Sequence, residues 1–223
     1  MSEPVKETPT VDFLEGSTGY RFRVGGGRNQ ALGRAAGFAK GTTPSVIDAT
    51  AGLGRDAFLL ASLGASVRLI ERSGEVHSLL QAALERTESV GGELAAIVGR
   101  MTLIEGDARD LLSRLRADVI LVDPMHPPRK NSALVKKDMR LLREMVGADE
   151  DALELMEAAL ASAGKRVVLK WPRYGEPMKG LRKPSHQILG KSVRYDVFMI
   201  PAGANALPAV PSVKKGSQQG GAG

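Results

Sequence analysis

The stretch Val46-Ile47-Asp48-Ala49-Thr50-Ala51-Gly52-Leu53-Gly54-Arg55-Asp56 constrains this chain more than any other. Val46 and Ile47 are β-branched and read as the end of a buried strand. The two glycines form a tight turn, and Arg55 opens a helix. A Gly-x-Gly turn lets the backbone come close to a ligand, because no Cβ stands in the way. The helix N-terminus behind it offers free N–H groups to the polar parts of that ligand. Asp48 precedes the glycines at the carboxyl end of the strand, where open α/β sheets bind their ligands. An ordinary strand–turn–helix also uses glycines, so the motif needs support from the rest of the chain.

That support begins with the order of elements. Apolar runs predict strands at 45–50, 66–71, 101–105, 118–122, 166–170 and 193–200. Between them lie helical patterns at 54–63 and 75–90, a short one around Asp110 to Leu115, and two more at 132–146 and 149–163. Such alternation predicts an α/β domain, a parallel sheet with helices on both faces. With 223 residues, one such domain with a substantial core is the default. Ahead of it, residues 1–40 read as a loose arm, a hairpin within 11–24, the Gly25-Gly26-Gly27 loop and a helix from Gln30 to Lys40. Residues 41–200 form the main domain, and the Gly-, Pro-, Ala- and Ser-rich segment 201–223 reads as a disordered tail. No run approaches the length of a membrane span, and the first residues lack the apolar centre of a secretory signal. The chain has no cysteine, and His77, His126 and His186 show no metal spacing, so no metal is expected. A cytoplasmic protein fits these features; they leave the oligomeric state open, with a monomer favoured.

Several strand ends carry groups suited to a nucleoside. Glu71 closes the second strand 19 positions after Gly52, where a carboxylate accepts hydrogen bonds from two ribose hydroxyls. Asp107, just past the third strand, is placed to hold an adenine amino group. The fourth strand ends in Asp123-Pro124-Met125-His126-Pro127-Pro128, a stiff segment beside the same crevice. A planar exocyclic amine needs its two hydrogens held before its lone pair can turn toward an electrophile. The Asp123 carboxylate and the Pro124 carbonyl are suitable acceptors, and a flat ring at His126 can stack on the base.

Charge is uneven. The chain carries a formal +6, yet between Lys165 and Arg194 there are nine Lys/Arg against the single acid Glu176. Arg129, Lys130, Lys136, Lys137, Arg140 and Arg143 make a second basic segment, and Arg28 follows the glycine triplet. Trp171 and Tyr174 interleave with Lys170 and Arg173, setting stacking faces beside phosphate-reading cations. This pattern favours single-stranded or looped RNA as the partner.

Taken together, Asp48-Ala-Thr-Ala-Gly-Leu-Gly-Arg-Asp56, Glu71-Arg72, Asp123-Pro-Met-His-Pro128 and Ser132-Ala-Leu-Val-Lys-Lys137 resemble the RsmJ family. These are S-adenosylmethionine-dependent 16S rRNA guanine-N2 methyltransferases. The resemblance spans roughly residues 11 to 200 and includes Phe22-Arg23-Val24-Gly25-Gly26-Gly27-Arg28 and Val167-Val168-Leu169-Lys170-Trp171-Pro172. It implies a class I, Rossmann-like methyltransferase fold: a seven-stranded, mostly parallel sheet with its last strand antiparallel. It also implies S-adenosylmethionine as cofactor and 16S rRNA or the small ribosomal subunit as partner. By motif, Arg55, Asp56, Glu71, Arg72, Asp107, Ala108 and Asp123 line the cofactor site, with Asp48, Gly52 and Gly54 shaping it. The chain departs from the family in two places: His126 replaces a phenylalanine, and Asp107-Ala108 replaces a small hydroxyl pair.

Two other readings fit parts of the chain. Gly52-Leu-Gly-Arg-Asp-Ala57 also satisfies G-x-G-x-x-[GA], the fingerprint of a nicotinamide-dependent oxidoreductase. The basic segments alone fit a non-catalytic RNA-binding factor of ribosome assembly.

Overall fold

In a computed structural model, residues 9, 11–14, 27–39, 41–125, 141–142, 146 and 151–205 are described. Most of the expected hairpin and of the helix at 132–146 lies outside them. So do Gly25, Gly26, His126, Arg129, Lys130, Lys136, Lys137 and the tail from 206 onward. The strands are short apolar runs that hydrogen-bond into one seven-stranded sheet: β1 (Val46–Asp48), β2 (Val67–Glu71), β3 (Met101–Glu105), β4 (Val119–Val122), β5 (Arg166–Pro172), β6 (His186–Leu189) and β7 (Val193–Met199). Their spatial order is β3-β2-β1-β4-β5-β7-β6. β1 to β5 pair in parallel, and β7 lies antiparallel between β5 and β6. Every residue of β1 and β4 is buried, as expected of central strands covered on both faces.

Six described helices cover the sheet: α1 (Ala31–Ala36), α2 (Arg55–Ser62), α3 (Gly74–Val90), α4 (Gly92–Val98), α5 (Ala108–Leu111) and α6 (Ala152–Ser162). Because side chains alternate along a strand, each strand feeds two cores. Val168 joins Leu60, Leu69 and Leu80 beneath α2 and α3. Val167 joins Ile47, Ile120 and Met156 beneath α6. The N-terminal segment is part of the first core: Phe13 is buried and stacks on Phe58 of α2 at 4.9 Å between ring centroids. Arg86 on α3 ties it down by donating to the Val11 carbonyl.

Several elements differ from the sequence expectation: β1 keeps only Val46–Asp48 of the expected 45–50, and α5 spans Ala108–Leu111 where a helix around Asp110 to Leu115 is expected. β6 was not anticipated; in His-Gln-Ile-Leu only Ile188 is buried, so this edge strand carries almost no apolar signal. α4 was hidden behind Gly91 and Gly92, whose positive φ values of 77° and 69° turn the chain and restart it as a second helix. α1 stops at Ala36, not at residue 40, because Gly37 adopts φ 85° and caps it by donating to the Arg34 and Gly33 carbonyls. β5 runs two residues further, through Trp171 and Pro172.

The glycines of the central turn do different work. Gly54 has φ 67°, and a Cβ there would sit 2.8 Å from Leu80 Cδ1 and 3.2 Å from Phe13 Cζ. A Cβ on Gly52, at φ 52°, would meet no side chain of the described residues nearer than Leu142 Cδ2 at 3.5 Å. Gly54→Ala is therefore expected to destabilise the fold by about 2–4 kcal/mol, summing left-handed strain and overpacking. Gly52→Ala should cost only about 1–2 kcal/mol. Phe58→Ala should cost about 3–5 kcal/mol through the lost stack and the cavity. Urea unfolding of the three variants beside the parent chain measures each difference.

Candidate active site

Strand order reverses between β1 and β4: the chain steps outward from β1 through β2 to β3, then returns to the other side of β1. The connections leave in opposite directions there, and a crevice opens at the strands' carboxyl ends. It encloses about 570 Å³, part of it open to solvent. Gly52, from the turn after β1, faces Glu71 and Arg72 at the end of β2, Asp107 and Ala108 after β3, and Asp123 after β4. Residues far apart in sequence thus meet as the motif reading required. Thr50, Met125, Arg109 and Asp151 also line the cleft and were not anticipated. Thr50 lies within the central motif, but nothing local to Asp151 signals that α6 begins beside β2.

Hydrogen bonds fix the walls. Glu71 is buried, and its Oε2 accepts from the Gly52 N–H at 2.8 Å while Oε1 accepts from the Ser73 N–H at 2.9 Å. The carboxylate therefore pins the turn, and a carboxylate has about four acceptor positions, so some remain for a ligand's hydroxyls. The Thr50 hydroxyl accepts from the Asp123 N–H at 2.7 Å, joining the tips of β1 and β4. Along the rim, Arg109 forks onto Asp107 at 2.7 Å and reaches Asp151 at 3.2 Å and Glu154 at 2.8 Å. Arg72 meets Asp151 at 2.7 Å. Hydrogen bonding from Arg109 holds the Asp107 carboxyl below its ordinary range. Asp107 also accepts from the Arg109 N–H and so caps α5. The carboxylate read as an adenine acceptor is thus already engaged with Arg109.

Behind the turn lies a cluster of acids around one cation. Lys170 Nζ bonds Asp56 Oδ2 at 2.6 Å and Asp123 Oδ2 at 2.7 Å. Burial alone would lower the Lys170 pKa, but the two carboxylates outweigh it and hold the ammonium well above its usual value. Asp48 sits beside them, buried. Burial first, then the charges of Asp56 and Asp123, push its carboxyl up to about 7, partly offset by the Thr50 N–H. Asp48, Gly54 and Asp56 accordingly lie behind or beneath the cleft, and Arg55 and Pro124 are not among its lining residues.

The basic surface needs correcting in three places. Lys170 was read as a phosphate contact; its charge is spent on Asp56 and Asp123. Arg28, also read as an RNA contact, binds the Ala39 and Leu63 carbonyls and the Thr43 hydroxyl, clamping neighbouring loops. Arg194, counted in the same basic run, is buried against Asp196 at 3.0 Å. It also donates to the carbonyls of Pro172, Arg173 and Gly175. Trp171 is half-buried, with Nε1 donating to the Glu176 carbonyl. Tyr174 is the outward ring, 83% exposed, with the Arg173 guanidinium 5.5 Å from its centroid. Arg173 donates to the Gly190 carbonyl, joining the segment of Tyr174 to that of the exposed Lys191 at the carboxyl end of β5, the end of the sheet on which the cleft opens.

These features fit S-adenosylmethionine. A turn lacking a Cβ leaves room for a ligand against the backbone, and Glu71 retains acceptor positions that a ribose could use. Ala49, Ile70 and Ala108 give apolar surface for a base. Comparison with known proteins agrees. A family model described as "Putative SAM-dependent methyltransferase" matches residues 1–200. Ribosomal RNA small subunit methyltransferase J of Agrobacterium fabrum is 62% identical over 87% of this chain and 93% of its own length. The protein of the same name from Brucella anthropi is 63% identical over 85% and 92%. A crystal structure of a SAM-dependent methyltransferase from Neisseria gonorrhoeae superposes with a TM-score of 0.68 at 33% identity, covering 88% of this chain and 77% of that one. Extent and identity of these matches leave one conclusion, that the chain belongs to the ribosomal RNA small subunit methyltransferase J family of SAM-dependent methyltransferases.

Proposed function

We propose that the protein methylates the exocyclic N2 of a guanosine in the 16S rRNA of the small ribosomal subunit, acting in the cytoplasm as a monomer. One observation carries this reading: the glycine turn suited to the donor and the Asp123 tip suited to the amine line one cleft. The names of the relatives above support the rRNA substrate. Bound S-adenosylmethionine supplies a methyl group activated by its sulfonium. Gly52, Glu71 and Arg72 would hold it, together with Asp107 and Ala108. An unstacked guanine enters beside Asp123 and Pro124, with His126 stacked on its ring. The Asp123 carboxylate and the Pro124 carbonyl accept the two N2 hydrogens. This turns the nitrogen lone pair out of conjugation with the ring, and the proton that N2 sheds passes to Asp123. Much of the acceleration then comes from orientation in a site that excludes water.

On the RNA side, Arg173 and Tyr174 are joined by Lys191, with Arg129, Lys130, Lys136 and Lys137 following the Asp123 segment. The nicotinamide reading is not favoured, since no member of its chemistry accounts for the amine acceptors at Asp123 and Pro124. A non-catalytic assembly factor would have no use for the intact glycine turn and Glu71.

Three measurements test this. Asp123→Ala should lower methyl transfer to 16S rRNA by about 10²-fold or more while the protein still melts cooperatively; normal turnover would refute the assignment. Calorimetry should register S-adenosylmethionine binding and no heat with NAD(H). Mass spectrometry of rRNA nucleosides from a deletion strain should lack one N2-methylguanosine, restored when the protein is supplied.

A further inference from the structure

We infer that Lys170 is a positioning residue for methyl transfer, one ammonium that locks the cofactor-loop helix to the amine-binding tip and keeps the Asp123 carboxylate anionic and fixed in orientation. This role rests on the N2-methyltransferase reading. Asp56 lies in the first turn of α2, directly behind the glycine turn, and Asp123 follows the end of β4. Val122 pairs with Leu169 in the sheet, so the next residues, Asp123 and Lys170, stand side by side on adjoining parallel strands. Nζ then reaches Asp56 at 2.6 Å and Asp123 at 2.7 Å. A single atom thereby spans the donor half and the acceptor half of the crevice.

The electrostatics give that bridge a chemical purpose. Three carboxylates, Asp48 from β1, Asp56 from α2 and Asp123 from β4, converge on Lys170 from β5. Tyr195 of β7 stands opposite Lys170 in the antiparallel register. Asp48, buried in this group, is pushed up to about 7. The site therefore resists uncompensated negative charge. An acceptor that polarises an amine must be anionic, and its oxygen must point at the hydrogen. Lys170 meets both needs, since it offsets the charge and engages Oδ2.

The test compares kcat and KM across pH for the full-length wild type, Lys170→Met, Lys170→Arg and Asp56→Asn, with S-adenosylmethionine and 16S rRNA as substrates. Lys170→Met should lower kcat by roughly 10²-fold near neutrality. It should also move the acid limb of kcat upward by about 1–3 pH units, the usual effect of removing an opposite charge in contact. KM for S-adenosylmethionine should change much less. Lys170→Arg should return the limb toward its original position. Asp56→Asn removes a repelling carboxylate and leaves Lys170 to Asp123, so its limb should move down. An unmoved Lys170→Met profile, or an arginine variant no better than methionine, overturns the role. If Lys170→Met does not melt cooperatively, an upward or stationary limb in Asp56→Asn overturns it instead. A wild type that transfers no methyl group to 16S rRNA overturns the function and this role together, whereas active wild type with unshifted variants overturns the role alone.

Discussion

The hydrogen bond from the Gly52 N–H to Glu71 Oε2 governs the geometry of the crevice. A turn that must run past a ligand with no side chain to wedge it is held from outside, by the acid that ends the neighbouring strand. The same acid accepts from the N–H of Ser73, the cap of α3, so β2, the glycine turn and α3 are tied at one carboxylate. On the other side, Thr50 receives the Asp123 N–H and ties β4 to that unit. Two short polar bridges therefore set the width of the cleft. The strands beneath them are buried along their length, save for the half-buried Arg68 of β2.

Much of this was legible in the sequence. The strand–glycine–helix motif, the acid at Glu71 and the Asp123-Pro124 tip were found from spacing, because each follows a local rule: a strand of β-branched residues, a turn that tolerates positive φ, an acid at a strand end. Of the positions expected at the cofactor site, Gly52, Glu71, Asp107 and Asp123, with Arg72 and Ala108 implied by the resemblance, line the cleft, whereas Asp48, Gly54, Arg55 and Asp56 do not. What escaped was tertiary. Asp151 reaches the rim through the packing of α6, and nothing in its neighbours announces Arg72 or Arg109 as partners. Edge strand β6 buries one residue, too few for an alternating pattern.

Charge was the least transferable signal. Counting Lys170, Arg28 and Arg194 as outward cations assumed that basic residues in a run share a solvated face. Lys170 instead alternates inward along β5, Arg194 sits opposite Trp171 in the sheet, and Arg28 folds back onto loop carbonyls. A sum over sequence cannot tell a field-producing cation from one neutralised at contact distance, since the sign is local but the partner is not.

The buried Arg194 bears on how the outer edge meets a large partner. Its guanidinium holds the carbonyls of Pro172, Arg173 and Gly175, while Asp196, itself held by the Gln187 amide, secures it from behind. The segment carrying Tyr174 is thereby wired to the sheet. An aromatic face on so stiff a mount would lose little disorder against a stacked nucleobase, so more of the stacking energy would survive as affinity.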